Sequence, residues 1–197
     1  MRTKKGFTLI ELVVVIVILG ILSAIAIPKF MDLQRDARIS AVQGLVGAVK
    51  SSVSLVYSKS VLLGREKVSP GCIWVHTTGI GDDSCDPANV QAQNNDDAIF
   101  TTFGWPAATR YGLPRTLSEV PEEYKDEATN YLSDWVFVEM TASSSTESKK
   151  LLMWPVSAPR VQILGSGGSS KFTGCGIIYS EATATTRPEL RIVRDDC

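Results

Sequence analysis

The sequence predicts an α+β protein: one long N-terminal α-helix laid on an antiparallel β-sheet of about four or five strands. Three observations carry that class. An apolar run from Phe7 to Ile27 continues into a segment with apolar residues at spacings of three and four, so one helix reaches about Ser58. From Asp134 onward, short β-branched and aromatic runs alternate with turn-forming stretches, the pattern of strands. Between them, glycine and proline punctuate Val61 to about Ser133, which allows only short elements. The expected organisation is a leader at 1–6, an apolar half-helix at 7–28 and a globular head at 29–197. The head comprises an amphipathic half-helix (29–58), a connection (59–133) and a sheet with a disulfide loop (134–197).

The chain opens with Arg2, Lys4 and Lys5, then Gly6. The 21 residues from Phe7 to Ile27 would span about 31 Å as a helix, close to the hydrocarbon thickness of a bilayer. Their only polar side chains are Thr8, Glu11 and Ser23. The segment therefore reads as a membrane-spanning helix with one acid near its cytoplasmic end. The three basic residues keep the short N-terminus in the cytoplasm and send the remaining chain outside. An ionised side chain in a spanning helix costs a few kcal/mol, less near the interface, so it calls for a function and a partner. Cleavage between Gly6 and Phe7 would supply one. Glu11 would then lie in the first turn of a new helix, where the dipole favours negative charge, beside the new α-amino group of Phe7. The plainer alternative is a glutamate that snorkels to the headgroups. A conventional secretory signal does not fit, because no small-residue cleavage site closes the run.

Beyond Ile27, Phe30, Leu33, Ala37, Ala41, Leu45, Val49, Val53 and Val56 form one stripe, with Asp32, Arg35, Asp36 and Arg38 outside it. Pro28 is expected to kink the helix or open its ladder, and Gly20 is a second weak point. The connection should hold a strand at Cys72–His76 and helical turns at Asp97–Phe103 and near Pro121–Tyr131. Strands are expected at Trp135–Met140, Leu151–Val156, Arg160–Leu164, Phe172–Ser180 and Leu190–Arg194.

The full chain has 197 residues and a net charge of −1. Loss of the three leader cations would leave 17 basic and 21 acidic residues, a mildly acidic mature chain of charge −4. Nothing has the basic density of a nucleic-acid surface. The four cysteines lie in the part assigned outside the cytoplasm, where disulfides are the default. Three connectivities are open; the two local loops, Cys72–Cys85 and Cys175–Cys197, are preferred. With His76 the only histidine and no Cys-x-x-Cys pair, no zinc site or Ser-His-Asp constellation is expected, and no cofactor either. Glu122–Glu123 and Asp195–Asp196 read as solvated surface. Asp82, Asp83 and Asp86 with 94–97 read as turn chemistry, not a Ca²⁺ loop. Trp74, Trp105, Trp135 and Trp154 read as core and rim packing.

Gly6-Phe7-Thr8-Leu9-Ile10-Glu11-Leu12 resembles the processing site of type IV pilins. The resemblance implies cleavage after Gly6 by a prepilin peptidase, N-methylation of Phe7, and an assembly role for Glu11 against the Phe7 amine of a neighbouring subunit. It also implies unwinding between Gly20 and Pro28 in the fibre. Cys175-Gly176-Ile177-Ile178-Tyr179-Ser180-Glu181-Ala182 with Cys197 resembles the C-terminal loop of mannose-sensitive haemagglutinin pilins. So do 32–38, 55–59, 104–109 and Asp134-Trp135. The implied function is the major subunit of such a pilus, a homopolymer for adhesion, surface attachment and biofilm formation. Its partners would be the prepilin peptidase and methyltransferase and the inner-membrane assembly machinery. The protein would sit in the inner membrane before assembly and on the cell surface afterwards. The alternatives are a minor pilin or type II secretion pseudopilin and, more remotely, a signal-anchored lectin or periplasmic hydrolase.

Overall fold

Apolar residues at helical spacing begin at Leu9, and α1 runs from Leu9 to Leu62. It is the first element of a computed structural model that describes residues 6–74, 98–126, 129–140, 148–164 and 171–197. The architecture is α+β, one long N-terminal helix followed by antiparallel and mixed sheets, consistent with the type IV pilin fold. Contacts divide the chain into two units, Met1–Ala37 and Arg38–Cys197, so α1 contributes its first half to one and its second half to the other.

In the first unit the large apolar side chains from Leu9 to Ile27 are exposed, Ile25 among them at 66%, and Ala26 is half-buried. Helical backbone passes through both Gly20 and Pro28 in the single chain. The expected stripe is only partly buried. Phe30 and Leu33 are exposed, as are Ala37 and Ala41, and the buried face of α1 starts at Val42. It continues through Leu45, Val49, Ser52, Val53, Val56 and Ser60. Periodicity located this face but could not show where it stops being covered.

The second unit holds ten short strands among the described residues. They are β1 (Gly71–Trp74), β2 (Ala98–Thr102), β3 (Trp105–Pro106), β4 (Glu122–Glu123), β5 (Trp135–Met140), β6 (Lys150–Pro155), β7 (Gln162–Leu164), β8 (Lys171–Thr173), β9 (Gly176–Ser180) and β10 (Glu189–Val193). A 3₁₀ turn, η1, occupies Leu113–Thr116. The main sheet has the order β10-β9-β6-β5-β4, antiparallel except for the parallel β4–β5 pair. β1-β2-β3 and β7-β8 form two smaller antiparallel sheets.

Leu151-Leu152-Met153-Trp154 shows why the main sheet is apolar on both faces. Leu151 and Met153 join Val42, Leu45, Val49, Phe137, Ile177 and Tyr179 in the core beneath α1. Leu152 and Trp154, pointing the other way, join Val136, Val161, Ile178 and Val193, with Tyr124 and Tyr131 packed alongside. A strand covered on both faces carries a continuous apolar run.

Three expectations need correction. The helical turn expected at Asp97–Phe103 is the strand β2, because Ala98, Ile99 and Phe100 pair with β1 and are buried. Near Pro121–Tyr131 the described residues contain β4 and no helix. The single strand expected over Phe172–Ser180 is two, broken at Gly174. Its φ of +113° suits only glycine, and a Cβ there would meet the Arg160 carbonyl oxygen at 2.3 Å.

Candidate assembly site at the start of the helix

Thr8 and Glu11 form a reciprocal cap on α1. The Thr8 backbone N–H and hydroxyl each donate to Glu11 Oε2 at 2.8 Å, and the Glu11 N–H donates to Thr8 Oγ at 3.4 Å. With Leu9 the first helical residue, this is the Thr-x-x-Glu capping box, which satisfies donors that the first helical turn leaves open. Thr8 escaped the sequence reading as a participant, although the spacing that reveals it stands beside Glu11. Phe7 immediately precedes the cap and is 94% exposed; Gly6 is exposed too. The geometry thus gathers a small-residue junction, an exposed aromatic and a capped carboxylate at one end of an uncovered apolar helix. By length and composition that helix can cross a membrane.

A second group fixes the other end of the chain. Cys175 and Cys197 are joined by a disulfide with Cα atoms 4.7 Å apart, and both are buried. β9 and β10 pair from Gly176–Val193 to Ser180–Glu189, so the bridge closes the open end of this hairpin. Arg38 Nη1 donates to the Cys197 carbonyl oxygen at 3.2 Å, linking that end to the helix. The Tyr179 hydroxyl donates to the Pro106 carbonyl at 2.7 Å. Burial, with the Glu181 carboxylate adding to it, pushes the Tyr179 hydroxyl pKa well above the usual tyrosine range. Cys72 is buried on β1; its expected partner Cys85 lies outside the described residues, as do His76, Asp82, Asp83 and Asp86.

No cluster of three or more metal-ligating His, Cys, Asp or Glu side chains occurs among the described residues. Glu122 and Glu123 are not simply solvated. Glu122 Oε1 accepts the N–H groups of Leu132 and Ser133 at 2.6 and 2.7 Å, and Glu123 pairs with Arg110 at 2.7 Å. Asp195 and Asp196 are exposed. Trp154 is core, and Trp105 stacks on Tyr57 with ring centroids 3.9 Å apart.

A Gly-Phe junction, a capped acid and an exposed apolar helix define a recognisable class of N-terminus. Residues 1–27 match a family model described as the prokaryotic N-terminal methylation motif. Among similar curated proteins, fimbrial protein EcpC of Eikenella corrodens is 47% identical over 70 residues, 36% of this chain and 46% of that protein. Type IV narrow pilus major component PilA5 of Thermus thermophilus is 53% identical over 51 residues, 26% of this chain and 44% of that protein. Type IV major pilin protein PilE of Neisseria gonorrhoeae is 40% identical over 68 residues, 34% and 41% respectively. The chain thus spans somewhat under half the length of these relatives. No solved structure matches.

Proposed function

We propose that this chain is the major subunit of a type IV pilus of the mannose-sensitive haemagglutinin kind, and that its activity is polymerisation without catalytic turnover. The observation that carries the reading is the capped Glu11 behind the Gly6–Phe7 junction, at the start of an apolar helix uncovered within its own chain. Cleavage after Gly6 would convert Phe7 into a new, N-methylated terminus. Thr8 bonds occupy part of the acceptor capacity of Glu11 and set its orientation. The remaining capacity suits a cationic α-amine, here that of Phe7 on an adjacent subunit.

An apolar helix is stable in lipid and equally stable among other apolar helices, where close packing replaces lipid contact. Transfer from membrane to fibre is therefore favourable only once Glu11 has its cation, since an unpaired charge buried among helices is expensive. Gly20 and Pro28 would be where the helix yields as subunits accommodate one another. The disulfide-closed head would face outward and mediate surface attachment. Similarity to fimbrial proteins and type IV pilins supports the coarse reading; the resemblances of 175–182 and 104–109 support the finer one.

Mass and N-terminal sequence of protein sheared from cells test this reading, with microscopy of the same fraction. The expected result is abundant filaments whose subunit begins at methylated Phe7. A subunit retaining Met1, or one present only in traces within fibres made of another protein, overturns major-subunit status.

A further inference from the structure

Leu132 is the most exposed large apolar side chain among the described residues, at 98%. One exposed leucine needs no explanation by itself. Leu132 differs in how firmly its backbone is held. Glu122 Oε1 accepts both its N–H and that of Ser133, and Glu119 Oε1 accepts the Asp134 N–H at 3.4 Å. Next to it, the Tyr131 hydroxyl accepts from the Lys125 and Asp126 N–H groups and donates to the Asp126 carbonyl. The Tyr131 ring stacks on Tyr124, which tilts against buried Trp154. An apolar side chain presented on a prepared backbone loses little freedom on docking. The segment is acidic on balance: residues 119–134 contain Glu119, Glu122, Glu123, Asp126, Glu127 and Asp134 against Lys125, with Arg110 pairing to Glu123 and Arg160 lying over the Tyr124 ring.

At the other edge of the main sheet is a cavity of about 360 Å³, ample for a leucine side chain. Val49, Val53, Trp105 and Leu190 give it apolar walls, and its charged lining consists of two cations, Lys50 and Arg187. The order β10-β9-β6-β5-β4 sets the two features apart. Leu132 precedes β5 beside β4, whereas Arg187 and Leu190 belong to β10 and its approach. Four strand spacings, roughly 19 Å, separate these edges. A projection on one edge and an opposite-charged cavity on the other are different patches. Joined between copies, they make a heterologous contact that repeats without closing.

We infer that Leu132 of each copy seats in the Lys50–Arg187 cavity of the next, with the described acids beside it, Glu119, Asp126 and Asp134, facing those two cations. The inference rests on the polymer reading above and names the head-to-head contact within it. Charge complementarity selects the second copy as occupant, because the acidic projection and the basic cavity belong to the same molecule.

The test is a photo-crosslinking amino acid at position 132 of the full chain, irradiated in assembled fibres. The expected product is a copy-to-copy adduct mapping to 49–54 or 187–190. The double variant Lys50→Glu, Arg187→Glu should lower sheared-fibre yield about tenfold or more relative to cell-associated subunit. Adding Asp134→Lys, which leaves the Glu119 and Glu122 bonds to the backbone in place, should restore part of it, an outcome that a folding defect would not give. Adducts mapping elsewhere, adducts only to a glycan or another protein, or undiminished fibre yield overturn the inference and leave polymerisation standing. Failure of the unaltered chain to form fibres overturns both.

Discussion

Thr8 and Glu11 share the first turn of α1, yet they do different things, and substitution separates them. Thr8→Ala removes both bonds from its hydroxyl, one donated and one accepted, but leaves the backbone N–H of that residue to hold the carboxylate. Fibre yield should fall a few-fold, read as sheared subunit over total subunit. Glu11→Gln keeps much of the cap geometry and removes the charge, so cells should make and process the subunit but extrude no normal filaments. At the opposite end, Tyr179 gives a pH signature. Its raised pKa means that the folded chain keeps its proton while the unfolded chain loses its own. The stabilisation is whole below the unfolded value near pH ~10 and drains away as pH rises past it. Tyr179→Phe should cost about 1–2 kcal/mol at neutral pH, through the lost bond to Pro106, and flatten the alkaline fall in stability. Thermal unfolding at pH 7 and above pH 10 checks both.

The β9–β10 hairpin owes its closure to a covalent link. Cys175 and Cys197 lie 22 residues apart, and a loop of that length constrains the unfolded chain by about 3 kcal/mol. The paired change Cys175→Ser, Cys197→Ser should lower stability by that order in denaturant unfolding. The loss should also reach the helix, since the Cys197 carbonyl accepts from Arg38. How legible these elements were depended on the range of the forces that make them. The apolar helix and the runs at 135–140 and 151–156 were readable because composition and period dictate them locally. β2 was misread as a helical turn because Ala98-Ile99-Phe100-Thr101-Thr102 lacks alternation, and only pairing with the distant β1 selects the strand. Glu122 and Glu123 looked like surface because nothing in the sequence shows that one clamps the Leu132 backbone and the other meets Arg110. Of the candidate site, Glu11 stands out in the sequence as the one acid of the apolar run, whereas the Thr8–Glu11 spacing gains meaning only once the helix is seen to start at Leu9.

Across the whole molecule, the two units present contrasting surfaces. Arg38–Cys197 holds buried apolar clusters beneath α1 and on both faces of the main sheet. Met1–Ala37 leaves its apolar helix uncovered. On the function proposed above, the exposed part finds its apolar environment first in lipid and then in a bundle of its own kind. Core substitution should therefore act on folding and helix substitution on assembly. Met153→Ala, in the buried face beneath α1, should cost about 2–5 kcal/mol and lower cellular subunit levels. The central claim is that one carboxylate licenses the change of environment, and the most direct measurement is the filament output of cells expressing Glu11→Gln. The account predicts processed subunit retained in the inner membrane and filaments lost. Filaments of normal number and length from that variant would contradict it.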